Sequence, residues 1–256
     1  MRREHSGAGG EAMAETGGEA APYPSSDPST LVLFQRDWDI YHKMVENNFL
    51  FHREAYARLH EFLVQDVDRP FDFLDIACGD AGASVAALDG TQVAHYHGID
   101  LSPVALGLAR KACERLSCPA TLEQGDFIRS VSSRTDPADI VWIGLSLHHL
   151  RNPEKLAFMR EIHRILGKHG LLLIYENASP DGEDREAWLH RWDLQKPFWT
   201  AYSEAEWNAM AAHVHAADFP ETDAGWRDLG RNGGFGAVRE IFAAPSDLFR
   251  LYCFTA

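Results

Sequence analysis

The sequence is poor in positive charge. Its 256 residues carry 24 Lys and Arg against 38 Asp and Glu, which gives a formal net charge of −14 and a pI of about 5.3. Proteins that bind nucleic acids draw much of their affinity from clustered Lys and Arg side chains. We therefore expect a small-molecule substrate and no nucleic-acid partner.

Cysteine and long apolar runs are also scarce. The four cysteines, Cys78, Cys113, Cys118 and Cys253, show neither metal-ligand spacing nor a disulfide pattern. No apolar run is long enough to span a bilayer, and no apolar stretch typical of a secretory signal follows the first residues. These absences predict reduced thiols, no bound metal, no membrane contact and a cytoplasmic location. No heptad or repeat indicates an oligomeric state.

Composition divides the chain into three parts. Residues 1–30 are rich in Gly, Ala, Ser and Pro, which predicts a disordered tail. Residues 31–68 carry aromatic side chains at helical spacing and predict an N-terminal helical region. Residues 69–256 suit one α/β domain with a single core. Within that domain, residues 178–231 hold five of the seven tryptophans and predict an insertion that caps the substrate pocket.

The most informative segment covers residues 73–82 and has the sequence FLDIACGDAG. Its apolar start predicts a buried strand of a parallel sheet. Small residues follow, so the chain can turn tightly and a ligand can approach the backbone before the helix predicted at 84–88. The segment is typical of a nucleotide-binding loop.

The loop alone does not choose between two cofactors. Ala77, Gly79 and Gly82 fit the G-x-G-x-x-G spacing that NAD-binding folds use, with alanine in the first place. Asp75 separates the two cases, because its carboxylate would repel a pyrophosphate and attract the ammonium and sulfonium of S-adenosylmethionine. The sequence therefore favours S-adenosylmethionine.

The next two predicted strands lead to groups that suit an adenosine. A strand at 97–100 ends at Asp100, whose carboxylate can accept both ribose hydroxyls. A strand at 120–124 leads to Gly125, Asp126 and Phe127, where a side-chain acceptor and backbone amides can bind the adenine edge. These features identify adenosine without naming the cofactor.

Two more strands end in titratable side chains. A strand predicted at 139–147 leads to His148 and His149, and one at 171–175 leads to Glu176. The alternation of strands with amphipathic helices predicts an α/β fold. Open sheets of this kind place ligands beyond the carboxyl ends of their strands, so these side chains should lie near the cofactor.

The motifs LDIACGDAG, GIDLS, GDF, DIVWIGLSLHHL and LLLIYEN follow one another between residues 71 and 177. In this order they resemble the class I S-adenosylmethionine-dependent methyltransferases. The resemblance implies a Rossmann-like fold with a seven-stranded, mostly parallel sheet whose last strand is antiparallel, the runs 238–242 and 248–255 being its final strands. The family's loop usually has glycine where this chain has Ala77 and Ala81, and alanine fits there without strain only if φ is negative.

The resemblance also implies a function, namely methyl transfer from S-adenosylmethionine to a small molecule, with O- or N-methylation favoured. The residues expected to hold the cofactor are Asp75, Ala77, Gly79, Gly82, Asp100, Leu101, Gly125, Asp126, Phe127 and Leu145. Asp80 is expected either to touch the methionyl ammonium or to cap the following helix.

Methylation of a hydroxyl or an amine also requires removal of a proton. The candidates for the base are His148, His149 and Glu176, because all three follow strands on the cofactor side. His149 is the first choice. A histidine at this point can equally be a structural contact or line the cofactor.

The N-terminal helical region has two interpretations. Its aromatic side chains can simply pack against the core. Alternatively, as the resemblance suggests, the region is a lid over the methyl donor, with Tyr41, Asn47, Asn48, His52 and Tyr56 as candidates to face the substrate.

Histidine pairs add no metal site to these predictions. His95 and His97 share one strand face but have no third ligand in sight. His213 and His215 are two apart in a predicted helix and so point in different directions. We interpret both pairs as solvent or core contacts.

Two other functions stay open. An NAD-dependent oxidoreductase can use the same loop spacing, but it would have to hold a pyrophosphate beside Asp75. A non-catalytic member of the methyltransferase fold would bind the cofactor or a partner protein without turnover.

Overall fold

The computed structural model describes residues 38–256. The predicted tail at 1–30, residues 31–37 and the side chains of residues 38–41, which include the lid candidate Tyr41, lie outside this part. Among residues 38–256, no helix combines the length and apolar character required to cross a bilayer.

Two helices begin this part of the chain, α1 (Trp38–Glu46) and α2 (His52–Gln65). A turn that contains Asn47 and Asn48 separates them. α2 buries one face against the domain, with Ala55 and Leu59 fully covered. The N-terminal region is therefore a packed part of the fold.

One sheet of eight strands organises the domain. The strands are β1 (Phe71–Ile76), β2 (Val93–Asp100), β3 (Ala120–Gln124), β4 (Ala138–Gly144), β5 (Leu166–Ser179), β6 (Glu221–Thr222), β7 (Ala237–Ala243) and β8 (Phe249–Thr255). Their order is β3-β2-β1-β4-β5-β8-β7, and the short β6 pairs with β5. Strands β1 to β5 are mutually parallel, whereas β8 is antiparallel to β5 and β7. The predicted fold class is confirmed, and β6 is an addition to it.

Helices connect and cover the strands. They are α3 (Gly82–Ala87), α4 (Pro103–Cys113), α5 (Phe127–Ser133), α6 (Asn152–Ile165), α7 (Arg185–Asp193), α8 (Glu204–Ala217) and α9 (Asp223–Gly233), with 3-10 turns at Leu147–His149 and Lys196–Phe198. Several begin at a polar side chain that accepts a first-turn amide, as Ser102 does from Ala105 N at 3.2 Å.

The central strands are covered on both faces. Val141, Trp142 and Ile143 of β4 have no exposed surface. Trp142 packs in the layer with α2, α7 and α8, whereas Val141 and Ile143 pack in the layer with α5, α6 and α9. A continuous apolar run is what a doubly covered parallel strand requires. The packing holds the carboxyl ends of the strands along one edge.

The fourth strand is shorter than the predicted 139–147, because β4 ends at Gly144. Leu145 has φ 52°, and a left-handed residue ends an extended strand. The chain then enters the 3-10 turn that contains His148 and His149.

The tryptophan-rich insertion packs on itself and on the N-terminal helices. The rings of Trp192 and Trp199 meet edge-on at 4.9 Å, and Trp199 stacks on Phe49 at 4.8 Å. Lys43 of α1 forms an ion pair with Glu206 of α8 at 2.5 Å. Packing alone accounts for these aromatic side chains, and a role in capping the substrate stays a prediction.

Candidate functional site

The loop after β1 is strained. Ala77 has φ 55°, Gly79 has φ 55° and Ala81 has φ 56°. Alanine avoids strain only at negative φ, and the chain does not adopt negative φ at these two alanines. Each left-handed alanine therefore costs about 1–2 kcal/mol. Backbone hydrogen bonds hold the loop, including Cys78 N to Ile99 O at 3.0 Å. The loop thus has the left-handed backbone that glycine usually adopts, although two of these residues are alanine.

The loop presents bare backbone to open space. A Cβ built on Gly79 would meet no atom within 4 Å. Asp80 Oδ1 accepts a hydrogen bond from the amide of Gly82, the first residue of the following helix, at 3.0 Å. Contact of Asp80 with the methionyl ammonium stays a prediction. Backbone without side chains suits the close approach of a ligand.

Asp100 joins the end of β2 to this loop. Its Oδ2 accepts Gly79 N at 2.9 Å, and its Oδ1 accepts Ser102 N at 2.8 Å. Burial raises the pKa of Asp100, while these backbone hydrogen bonds lower it. A carboxylate oxygen can accept more than one hydrogen bond, so ribose hydroxyls can still bind here.

Asp75 is a buried carboxyl beside the loop. It is 1% exposed, and Tyr96 Oη donates a hydrogen bond to its Oδ2 at 2.7 Å. Burial raises the pKa of Asp75 to about 7, although the hydrogen bonds from Ser84 and Tyr96 oppose the rise. An ammonium nearby would compensate the buried charge. The sequence did not indicate Tyr96, because it lies on the next strand.

The other predicted cofactor residues follow β2, β3 and β4 at the same edge. They are Leu101, Gly125, Asp126, Phe127 and Leu145. Gly125 N donates to Asp100 O at 3.0 Å, and Asp126 caps α5 by accepting Arg129 N at 3.1 Å. The strand order β3-β2-β1-β4 sets these residues side by side with the loop.

Glu176 lies at the end of β5 without exposed surface. Its Oε1 accepts Ser146 N at 2.6 Å and Leu147 N at 2.5 Å, and its Oε2 lies 2.9 Å from His148 Nδ1. The carboxylate therefore fixes both the 3-10 turn and the orientation of the His148 ring. These contacts favour a positioning role for Glu176 over proton removal.

The two histidines differ in their surroundings. Burial alone would lower the pKa of His148, but the carboxylates of Asp218 and Glu176 outweigh it and raise that pKa. Burial and the neighbouring rings of His148 and His213 hold the pKa of His149 well below its ordinary value. The ring centroids of His148 and His149 are 4.2 Å apart.

Asp218 completes this group and is absent from the sequence predictions. It follows α8 and is 5% exposed, with its Oδ2 accepting Asn177 Nδ2 at 2.9 Å. Burial raises the pKa of Asp218 to about 6. No local motif marks this residue, since the fold of the insertion alone brings it to the histidines. The same fold brings His213 to within 5.4 Å of the His149 ring, so a role as a plain solvent contact does not fit it.

The N-terminal helices reach this edge through one side chain in particular. Tyr56 lies edge-on to Trp142 at 5.2 Å, and its ring is 6.1 Å from that of His52. Asn47 and Asn48 instead form local hydrogen bonds near the surface. Tyr56 is thus the best placed of the predicted lid residues.

Comparison with known proteins agrees with this arrangement. The family model described as a methyltransferase domain matches residues 73–170, which contain the loop, both carboxylates and both histidines. Residues 73–170 thus carry a methyltransferase domain, in agreement with the resemblance to the class I S-adenosylmethionine-dependent methyltransferases. Carboxy-S-adenosyl-L-methionine synthase 1 of Yersinia pseudotuberculosis serotype IB (strain PB1/+) is 23% identical over 176 residues, which cover 67% of this chain and 72% of that protein.

Solved structures share the fold of the methyltransferase. Magnesium protoporphyrin IX methyltransferase (ChlM) from Synechocystis PCC 6803 with bound SAM is 15% identical, with a TM-score of 0.61 over 93% of this chain and 99% of that one. An O-methyltransferase family protein from Burkholderia thailandensis is 17% identical, with a TM-score of 0.62 over 87% of this chain and 63% of that one. This chain spans 54–57% of the length of three further similar structures. The predicted family, fold and cofactor are confirmed.

Proposed function

We propose that this methyltransferase transfers the methyl group of S-adenosylmethionine to an oxygen or nitrogen of a small molecule. The observation that carries the proposal is the pair of carboxyl groups, Asp75 and Asp100, beside a loop that faces open space. An ammonium suits the buried Asp75, and ribose hydroxyls suit Asp100. The pyrophosphate of NAD would instead bring negative charge to Asp75.

The predicted cofactor residues take separate tasks in this proposal. Asp75 binds the methionyl end, Asp100 binds the ribose, and the segment from Gly125 to Phe127 contacts the adenine. Left-handed backbone at Ala77, Gly79 and Ala81 keeps side chains away from the cofactor path. These roles are consistent with the alignment of the strand ends along one edge.

The chemistry asks mainly for geometry. S-adenosylmethionine supplies a methyl group that its sulfonium already activates. The protein then has to hold the acceptor atom in line with the methyl carbon and sulfur, and such positioning can supply much of the rate. Tyr56 Oη lies next to Gly144 at the end of β4, and we place the acceptor at this point.

His149 is the proposed group for proton removal. His148 Nδ1 is engaged with Glu176, whereas His149 Nδ1 lies 3.4 Å from the backbone oxygen of Ala217. The His149 side chain keeps 14% of its surface exposed, whereas that of Glu176 has none. A general base needs such exposed surface for contact with an acceptor.

Binding measurements test the cofactor half of this proposal. Calorimetry with S-adenosylmethionine, S-adenosylhomocysteine and NAD should show binding of the first two and not of NAD. Binding of NAD alone would support the oxidoreductase alternative, and no binding of any of the three would support a non-catalytic protein. Labelled methyl transfer to a panel of phenols, carboxylic acids and amines then tests the acceptor class.

A further inference from the structure

A group of potential metal ligands lies beside the proposed acceptor position. His148, His149 and Asp218 each offer one ligand atom, and these atoms lie within 4.8 Å of one another. They come from the turn after β4 and from the end of α8, so the fold and not a sequence motif brings them together. Two of them, His148 and Asp218, are buried.

One oxygen in this group lacks a hydrogen bond. Asp218 Oδ1 is buried and has no hydrogen-bond partner among residues 38–256. It lies 3.9 Å from His148 Nε2 and 3.7 Å from His149 Nδ1, which is too long for a hydrogen bond. A buried carboxylate oxygen without a partner carries an unrelieved desolvation cost.

These separations suit an ion between the groups. Metal bonds of about 2.0–2.2 Å place neighbouring tetrahedral ligand atoms about 3.3–3.6 Å apart. The observed 3.7 and 3.9 Å are a few tenths of an ångström longer than this, and all three ligand atoms lie within 4.8 Å of one another. His149 Nδ1 also lies 3.4 Å from Ala217 O, so binding of an ion would require the His149 ring to turn away from that oxygen.

The surrounding contacts orient the same groups. Glu176 Oε2 lies 2.9 Å from His148 Nδ1, so the imidazole can present Nε2 toward Asp218. Asn177 Nδ2 donates to Asp218 Oδ2 at 2.9 Å and leaves Oδ1 turned toward the histidines. Carboxylates that hold the second nitrogen of a ligand histidine are a regular feature of metal sites.

The charge balance points the same way. Glu176 and Asp218 place two buried carboxyl groups beside His148. The nearby cation of Lys155 is paired with Glu221 at 2.7 Å, and Arg185 donates to the backbone oxygen of Asp218 and not to its carboxylate. A divalent ion would balance both carboxylates when His148 is neutral, which is the form whose Nε2 can bind an ion.

We propose that His148, His149 and Asp218 form a binding site for a divalent transition-metal ion of the Zn²⁺ type. Two imidazoles and one carboxylate match the ligands that Zn²⁺, Co²⁺ and Fe²⁺ accept, whereas Mg²⁺ and Ca²⁺ prefer oxygen ligands alone. The ring of His213 is 5.4 Å from that of His149, which puts a third imidazole close by as a candidate fourth ligand.

A role for the ion rests on the proposed function, although ion binding itself does not. An ion at this place would bind the acceptor hydroxyl and lower its pKa. With the ion bound, His149 would be a ligand and the acceptor proton would leave to solvent; the general-base role proposed for His149 belongs to the ion-free protein.

The test uses the full chain after treatment with a chelator and dialysis. Titration with Zn²⁺ followed by calorimetry should give one site per chain, and Co²⁺ should give visible absorption bands of a four- or five-coordinate ion. Asp218→Asn and His149→Gln should each weaken Zn²⁺ binding at least tenfold. His215→Gln is the matched control and should leave the affinity unchanged. His215 lies on α8, the helix that precedes Asp218, but it pairs with Asp193 at the surface.

Circular dichroism checks that the variants fold, and His149→Gln tests a partly exposed ligand if Asp218→Asn does not fold. Absence of a single Zn²⁺ site, or equal affinity in the variants and the parent chain, overturns the proposal. Binding of S-adenosylmethionine is measured on the same samples. Protein that binds the cofactor but not Zn²⁺ contradicts the metal site alone, and protein that binds Zn²⁺ but no cofactor contradicts the proposed function alone.

Discussion

Asp100 Oδ2 accepts a hydrogen bond from the amide of Gly79 at 2.9 Å, which ties the end of β2 to the strained loop after β1. The other carboxylate oxygen accepts the amide of Ser102 at 2.8 Å. One side chain thus orders both the loop and the start of the next helix. The contribution of Asp100 to cofactor binding therefore includes the order it gives to the loop.

Replacement of this carboxylate is the first prediction. Asp100→Ala should weaken S-adenosylmethionine binding by about 1–3 kcal/mol, because both the ribose and the Gly79 amide lose an acceptor. This corresponds to roughly 5- to 150-fold in Kd by calorimetry. Asp136→Ala, an exposed site that precedes β4 at the opposite edge, is the control. Equal affinity of Asp100→Ala and the parent chain would remove Asp100 from the site.

The left-handed alanines give a second prediction. Ala77→Gly should stabilise the protein by about 0.5–1 kcal/mol, because relief of backbone strain exceeds the added entropy of the unfolded chain. Ala86→Gly, in α3, should instead destabilise by about 0.5–1 kcal/mol, since its backbone is helical. Urea unfolding of the three proteins measures both effects. A loss of stability in Ala77→Gly similar to that in Ala86→Gly would show that the φ of 55° carries no strain.

Local signals in the sequence predict the carboxyl edge of the sheet well. The third strand lies at the predicted 120–124, because a short run between turn signals has few alternatives. Asp75 and Asp100 were also placed correctly at strand ends, since a carboxylate that follows an apolar run marks the edge of a parallel sheet.

Contacts between distant segments were beyond the sequence. The end of β4 was misplaced by three residues because Leu145 and Leu147 are apolar, although Leu145 turns left-handed. Asp218 meets His148 only after the insertion folds back over β5, and no periodicity encodes that path. The partner of Asp75 was missed for the same reason, because Tyr96 reads as an ordinary strand residue.

The raised pKa of Asp75 gives a third prediction, on pH. Without cofactor, burial holds this pKa at about 7, so the carboxyl is mostly protonated below that pH. The methionyl ammonium favours the ionised form and lowers the pKa on binding. Affinity for S-adenosylmethionine should therefore rise with pH, by up to about tenfold per unit, and level off above about 7. Calorimetry in buffers of different ionisation enthalpy should also detect proton release near pH 6.

The control for this pH dependence is Asp75→Asn, which keeps an acceptor for Tyr96 but cannot ionise. Its affinity should be weak and nearly independent of pH below 7. A parent chain whose affinity does not change between pH 5.5 and 7 would show that Asp75 is not the group that meets the ammonium.

The last prediction distinguishes His149, the proposed general base, from Glu176, whose contacts favour a positioning role. Glu176→Gln should lower stability by about 1–3 kcal/mol, because the amide of Gln offers one oxygen where the carboxylate serves the amides of Ser146 and Leu147 and the ring of His148. His149→Gln should leave stability within about 1 kcal/mol but reduce kcat about 10²- to 10⁴-fold, as expected for loss of a general base. Thermal unfolding and initial rates on the acceptor found in the screen measure both. If His149→Gln kept full kcat while Glu176→Gln stayed folded and lost it, the proton would pass to Glu176 and the positioning role argued for that residue would be wrong.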